Sequence, residues 1–334
     1  MNNYRFSDKC GLQRGDCAVS CKKKIAITTG DVNGIGAEIT IKALNQLNLP
    51  KESVVLISNK NVLDFYGKLN NDYEIIEVDF NKNNILPGEI TAQSGDFGFR
   101  ALKIACEMAK NGEIDAIVTA PLSKIAMHKA GHIFNGQTEV LQKFLAKPGQ
   151  FADMLFVAKD FRVLLLTRHV PLKEVTLNFD SIIRQIVNLD NFFKLNLNIP
   201  NPKFALCAFN PHAGEGGILG KEEIEILSPA VKVLSESGID ITEPLPADTL
   251  FVKASQAYLK NEKNPYDCYI ANYHDQGLIP IKTLASEKTV NMTIGLDIIR
   301  TSPSHGTAFD IAGKNIASPD SMAEAILLAL NSET

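Results

Sequence analysis

The sequence predicts an α/β protein built around a largely parallel sheet, and three observations predict it. From Lys23 onward, short β-branched runs alternate with longer amphipathic segments, the pattern of successive βαβ units. At 334 residues, 45% of them hydrophobic, the chain is long enough for two domains or for one large unit with a substantial core. His169, His212 and His274 each follow directly on an apolar run, at the carboxyl ends of strands where α/β folds gather their ligands.

The strand candidates, in order, are KIAIT (24–28), SVVLIS (53–58), EIIEVD (74–79), DAIVTA (115–120), DMLFVA (153–158), FRVLLLT (161–167), KFALCAF (203–209), YDCYIA (266–271) and KTVNMTI (288–294). Helices fit between them. One begins near Ala37, after the turn GDVNGIG (30–36). A second spans 94–110, with Ser94 as its cap and Asn111-Gly112 as its stop. A third spans 181–197, where Ile182, Ile183, Ile186, Val187, Phe193 and Leu197 form one helical face. No repeat or long linker marks a boundary, so a second domain would have to be inserted within the first.

Composition excludes several classes of function. A net charge of -4 and the lack of a basic stripe argue against nucleic acid. The apolar runs are too short to span a bilayer, which argues against a membrane protein. Residues 1–22 carry Cys10, Cys17 and Cys21 among polar and basic residues without an apolar leader core; they read as a flexible extension, because a closed metal site usually needs a fourth ligand. Cys106, Cys207 and Cys268 lie singly in apolar patterns, as buried thiols of a reducing compartment do. The cytoplasm is the expected location.

The three strand-end histidines carry the chemistry. Three neutral imidazoles with a vacant fourth position describe a catalytic metal site, since structural sites fill every position with protein ligands. GDVNGIG contains Gly30, Asp31 and Gly34 and reads either as an anion-binding turn at a helix amino end or as a plain strand-to-helix turn. In NPHAGEGGILGKEE (210–223), Glu222 and Glu223 read as structural acids near a helix start. Arg300 at a strand end, with Lys282 and Asn291, supplies the fork and point charges that suit a phosphate. A rival metal pair, His128 and His132, lacks the HExxH glutamate, and Gly131 would end its helix first.

Taken jointly, GDVNGIG, FNGQTEVL, RHVPL, NPHAGEGG, PADTLF, YHDQGLIPIK, VNMTIGL and IRTSPSHGTAFDIAG resemble the 4-hydroxythreonine-4-phosphate dehydrogenase family in its motif order. The resemblance implies a two-domain α/β/α fold of the isopropylmalate dehydrogenase type, with its active site in the interdomain cleft. Residues 23–130 plus 288–334 would form the first domain and 131–287 the inserted second one, which makes dimer contacts. It also implies a homodimer whose partner completes each site, with His274 reaching the metal from the other subunit. His169, His212 and His274 would hold a divalent metal; zinc is favoured, with cobalt or magnesium as alternatives. Gln137, Thr138, Lys282, Asn291 and Arg300 match substrate-binding positions. The family motif commonly reads GHTE where this chain has Gln137 in GQTE, and an amide cannot titrate near neutrality. That departure bears on substrate choice.

His305, Gly306 and Asp310 in HGTAFDIAGK look like the adenosine-binding segment of the wider β-decarboxylating dehydrogenases, with Gly30, Asp31 and Gly34 as further cofactor candidates. A carboxylate at Asp310 would repel a 2′-phosphate, which favours NAD over NADP. The resemblance implies metal-dependent oxidation and decarboxylation of 4-phosphohydroxy-L-threonine to 3-amino-2-oxopropyl phosphate, in pyridoxal phosphate biosynthesis. Asp248 and Asp275 are the candidates for the general base. Rival readings on the same scaffold are dehydrogenases of 4-phosphoerythronate or 4-phospho-D-threonate. More distant ones are a phosphate acyltransferase and a non-catalytic metabolite sensor.

Overall fold

Among the described residues, eleven strands form one sheet in the order β3-β2-β1-β4-β11-β10-β5-β6-β9-β7-β8. They are β1 (Ile25–Thr28), β2 (Val54–Ser58), β3 (Glu74–Glu77), β4 (Ala116–Thr119), β5 (Asp153–Ala158), β6 (Phe161–Leu165), β7 (Lys203–Leu206), β8 (Asp240–Ile241), β9 (Cys268–Ala271), β10 (Val290–Ile294) and β11 (Ile299–Pro303). The structure, a computed structural model, describes residues 23–332. The extension expected over 1–22, with Cys10, Cys17 and Cys21, lies outside the described residues.

Seven of the ten strand pairings are parallel. The three antiparallel ones, β11 with β10, β10 with β5 and β5 with β6, are contiguous in the middle of the sheet. Two of them, β5 with β6 and β10 with β11, are neighbours in sequence, and an antiparallel pair can be joined by a short connection whereas a parallel pair needs a crossover; the third, β10 with β5, is a long-range pairing. Only Lys159 and Asp160 separate β5 from β6, and Lys159 takes a left-handed φ of 58°, as such turns require.

Among the described residues, ten α-helices cover the two faces of the sheet: α1 (Gly36–Leu47), α2 (Lys60–Tyr66), α3 (Ala92–Lys110), α4 (Lys124–Lys129), α5 (Gln137–Leu145), α6 (Phe179–Asn196), α7 (Ser228–Glu236), α8 (Ala247–Lys260), α9 (His274–Ala285) and α10 (Asp320–Asn331). Strands covered on both faces read as continuous apolar runs, and β1, β2, β4 and β5 are buried along their whole length. Leu44, Ile326 and Ala329, from α1 and α10, pack on one face of the first half and Phe97, Leu102 and Met127, from α3 and α4, on the other. Ile186, Phe193 and Leu234, from α6 and α7, and Leu250, Phe251 and Ile281, from α8 and α9, sandwich the second half in the same way. Val140 and Leu141 of α5 pack with the first group, so the first half reaches past the 130/131 boundary expected from sequence.

Three elements differ from expectation: the start of α3, β11, and the two-residue β8, which no apolar run announced. The cap of α3 is Thr91, whose Oγ1 accepts the Ser94 N–H at 3.2 Å, so Ser94 sits inside the first turn. β11 was not evident as a strand because its buried face is polar: Thr301 Oγ1 donates to Ala325 O at 2.7 Å, and Arg300 bonds Thr119. Side-chain hydrogen bonds there replace the apolar alternation that marks a strand.

The helix that starts at His274 lies close on the sheet because Gly277 faces it. A Cβ at Gly277 would meet Leu165 Cδ2 at 2.6 Å, Val163 Cγ1 at 2.8 Å and the Ala271 Cβ at 2.9 Å. Gly277→Ala should therefore destabilise the fold by about 1–3 kcal/mol, the usual range for overpacking, read as a lowered midpoint in urea unfolding. An unchanged midpoint would show that α9 can shift outward freely.

Candidate active site

Some candidate residues lie on segments that leave the sheet at strand ends, and Asn291 and Arg300 lie within strands. After β4, Ala120 O accepts the Gln137 Nε2–H at 3.1 Å, which fixes the amide at the start of α5 with its Oε1 away from that bond. Thr138 beside it is buried, at 4% exposed. Across β4 from them, Arg300 lies in β11 rather than at a strand end and is 3% exposed. Its Nε and Nη2 donate to Thr119 Oγ1 at 2.8 and 2.5 Å. Burial pushes its pKa down to about 9, opposed by the field of Glu139, so it stays charged at neutral pH. A guanidinium held by a hydroxyl retains unused donors for an anion.

Next along the sheet, Asn291 on β10 buries an Oδ1 that has no hydrogen-bond partner, as does the Thr293 hydroxyl one turn of the pleat away. Buried polar atoms left unpaired are costly and point to an absent polar ligand. Lys282 near the end of α9 is half-buried, which lowers its pKa, and its Nζ donates to Ser304 O at 2.6 Å. It thereby reaches the loop that holds His305, whose own pKa is lowered by burial and also by Lys282.

The histidines divide two and one. The His169 and His274 rings lie 5.7 Å apart, centroid to centroid, tilted by 46°. Two imidazoles on one tetrahedral ion, with bonds of about 2.0–2.1 Å, would place their centroids roughly 5–6 Å apart, so this pair fits a shared metal. His169 is held below its ordinary pKa by burial, then by Lys124 and His274, which favours the neutral ligand form. His274 Nδ1 bonds Asp275 Oδ1 at 2.6 Å, leaving Nε2 as the outward nitrogen. His212 does not join them: among the described residues, no three His, Cys, Asp or Glu side chains are grouped to hold a metal.

His212 instead opens a left-handed turn. Residues 212–216 have φ values of 50°, 54°, 73°, 45° and 66°. Such a conformation costs roughly 1–2 kcal/mol per non-glycine residue, here His212, Ala213 and Glu215. Asn210 anchors it: its N–H donates to Glu223 Oε1 at 2.7 Å, and its Nδ2 donates to Glu222 Oε2 at 2.6 Å and Glu223 Oε2 at 2.9 Å. Both glutamates are structural, as expected. Ile218 and Leu219 beside the turn, and Val170 and Leu172 after His169, are exposed apolar side chains.

The remaining candidates separate by exposure. Gly30 and Gly34 make room for the chain itself, for Pro121 O and for Thr307 O, the latter 2.9 Å from where a Gly34 Cβ would lie. Asp31 is 0% exposed and accepts the Asn33 N–H at 3.0 Å. The turn is thus packed from below onto the HGTAF segment, with Ile35 N donating to Thr307 O at 3.0 Å. Gly306 and Asp310 are exposed, and a Cβ on Gly306 would meet open space. Asp248 is exposed in the first turn of α8. Asp275 is engaged on His274, the place of a residue that orients an imidazole. His128 and His132, the rival pair, turn to different partners, Phe134 O at 2.9 Å and Asp96 Oδ1 at 2.9 Å.

Sequence reasoning missed Lys124, Glu139 and Arg168. Lys124 and Glu139 both act electrostatically on His169, and Glu139 also on Arg300. They tie the two halves of the site together. Arg168 buries an Nη1 without a partner. Glu139 and Arg168 adjoin singled-out residues in TEVL and RHVPL; nothing in the spacing around Lys124 marked it.

Fold and site together define an α/β oxidoreductase. Among the described residues no helix is long and apolar enough to cross a membrane. The chain belongs to the family described as pyridoxal phosphate biosynthetic protein PdxA, whose model matches residues 22–329. It is 39% identical to a putative D-threonate 4-phosphate dehydrogenase of Oceanobacillus iheyensis, covering 93% of this chain and 98% of that one. It is also 39% identical to the 4-hydroxythreonine-4-phosphate dehydrogenase of a Sulfurihydrogenibium species, covering 92% and 97%. The crystal structure of 4-hydroxythreonine-4-phosphate dehydrogenase from Klebsiella pneumoniae is similar at a TM-score of 0.80 and 36% identity, covering 92% and 97%.

Burial pushes the Asp31 carboxyl up to about 6, against the hydrogen bond from Asn33. The folded chain therefore keeps a proton that the unfolded chain releases, and stability is lost as pH rises from about 4 to about 6. Asp31→Asn should remove that loss, a gain on the order of 3 kcal/mol at pH 7 relative to pH 4. Urea unfolding of both proteins at the two pH values measures it; identical pH dependence would refute the buried-acid assignment.

Proposed function

We propose that this chain oxidises a phosphorylated hydroxy acid with a nicotinamide cofactor, with 4-phosphohydroxy-L-threonine as substrate and 3-amino-2-oxopropyl phosphate as product. The observation that carries this reading is Arg300, a fully buried guanidinium bonded to the Thr119 hydroxyl. A permanent cation there is matched by an anionic substrate group. Asn291, with its unpartnered Oδ1, and Lys282 complete an electropositive, hydrogen-bonding wall, and Gln137 and Thr138 border it. The substrate's C3 gives up its hydrogen as hydride to the nicotinamide while the hydroxyl on it gives up its proton to a base, which leaves a ketone. The β-keto acid so formed loses carbon dioxide. Lys282, half-buried and lowered in pKa, is placed to clamp the phosphate; returning a proton to the remaining carbon is its alternative role.

The donor set also suits a divalent metal, zinc before cobalt or magnesium, on His169, His212 and His274. Such an ion would supply Lewis acidity at the substrate oxygen and at the charge left by decarboxylation. Asp275 would orient His274, which leaves Asp248 as the candidate base. Because His212 stands apart from the other two within one chain, the set would be completed across a homodimer, and the exposed Ile218, Leu219, Val170 and Leu172 supply apolar surface for it. His305, Gly306 and Asp310 would hold the adenosine half of NAD, with NADP disfavoured by Asp310; Gly30, Asp31 and Gly34 would shape that loop from beneath. The two halves of the sheet would act as two domains, divided after α5 and again near 288. The buried free thiols of Cys106, Cys207 and Cys268 support a cytoplasmic location.

A second reading is favoured by Gln137: with its amide N–H on Ala120 O, its free oxygen accepts from a substrate hydroxyl as readily as from an ammonium. 4-Phospho-D-threonate, which carries a hydroxyl there, is then the competing substrate. Production of reduced nicotinamide with each compound, with NAD and NADP in parallel, decides between them by kcat/KM. Absence of turnover with both in a metal-replete sample would defeat the dehydrogenase reading. Arg300→Met should lower kcat/KM on the order of 100-fold, and His169→Ala should lower metal content and turnover together.

A further inference from the structure

The three histidines follow strand ends that are tied together around Asn272 and Gln276, through their side chains towards β7 and through the Asn272 backbone carbonyl towards β6. Asn272, 0% exposed, stands just past β9 and two residues before His274. Its Nδ2 donates to Cys207 O at 2.8 Å, past the end of β7. Its backbone carbonyl accepts Thr167 Oγ1 at 2.7 Å and Thr167 N at 3.2 Å, two residues before His169. Gln276, in the first turn of α9, closes the set: its Oε1 accepts Asn272 N at 2.8 Å, and its Nε2 donates to Ala208 O at 2.7 Å, four residues before His212. Five hydrogen bonds thus join the ends of β6, β7 and β9 beyond the last paired residues of the sheet.

Packing alone does not call for these residues. An apolar side chain would fill the same space, whereas Asn272 buries an Oδ1 with no partner, a cost of roughly 1–3 kcal/mol. We propose that Asn272 and Gln276 are positioning residues that fix the strand end leading to His212 against the β9–α9 segment that carries His274, and thereby set the affinity and geometry of a metal site that needs both. The inference rests on the metal reading above. Gln276 acts on both flanks at once, because it lies two residues after His274 on the same helical turn and grips the carbonyl that leads into the His212 turn.

Cobalt(II) serves as the probe, bound to the full chain in equilibrium dialysis and read by its visible absorption. Asn272→Asp, which loses the donor to Cys207 O, and Gln276→Leu, which loses the bonds to Asn272 and to Ala208 O, should each weaken cobalt binding by about 10- to 100-fold and shift the absorption bands, with a folded circular dichroism spectrum. If Gln276→Leu does not fold, Gln276→Glu keeps the acceptor for Asn272 N and loses the donor to Ala208 O, and carries the same expectation. Thr40→Val, which removes a buried hydroxyl bond to Gly36 O in the first half, should leave cobalt affinity unchanged. Folded Asn272 and Gln276 variants with wild-type affinity and spectrum, beside His169→Ala and His274→Ala variants that lose cobalt, would overturn the proposal and leave the metal reading standing. Wild-type cobalt binding in the histidine variants would remove the metal reading and the positioning role with it.

Discussion

One strand governs the architecture. β10 is antiparallel to both neighbours, β11 and β5, and through it two parallel groups of strands become one sheet. The chain leaves the first group after β4, builds the second, and comes home through β10 and β11, so each group contains strands distant in sequence. Val290 packs with the core of the first half, Met292 and Ile294 with that of the second. Without this reversal, Arg300 would have no place beside Thr119, and Asn291 none between the two halves.

Around that seam the buried polar groups follow a division of labour. Asp153, at 1% exposed, is satisfied by Arg184, Gln185 and Asn188, which fastens α6 to the sheet. Arg300, equally buried, is matched by a neutral hydroxyl. Asp153 is a closed account of charge and hydrogen bonds, and Arg300 an open one. The difference separates a group that holds the fold from one that holds a ligand, and burial alone would not reveal it.

Much of this was legible in the sequence, for physical reasons. Buried strands write themselves as apolar runs; each of the nine runs anticipated holds a strand, including the largely uncovered β3, and the two-residue gap between DMLFVA and FRVLLLT contained the hairpin. β11 was hidden because IRTSP satisfies itself by side-chain hydrogen bonds, and β8 because it is two residues long. At the site, His169 and His274 lie together within one chain, whereas the resemblance implied that His274 reaches across from a partner subunit. His212 stands apart from them in that chain, on a left-handed turn after β7; the density of glycine in HAGEGG was the hint of that turn. Gly30 and Gly34 were read as part of either an anion-binding turn or a plain strand-to-helix turn, and the structure sets Pro121 and Thr307 against them. Spacing shows that backbone comes close to something at such a position, without showing to what.

The placement of β11 between β4 and β10 also governs when the molecule can become itself. During synthesis, β1 to β4 emerge early, yet the flank of β4 remains an open edge until residue 303 has left the ribosome. Unpaired edges invite wrong partners, and contacts across such sequence distances form slowly. The N-terminal half must therefore wait, nearly complete and adhesive on one side, for the last part of its own chain. Chain termination shortly before Arg300 would remove more than a substrate contact: it would leave that edge permanently unpaired.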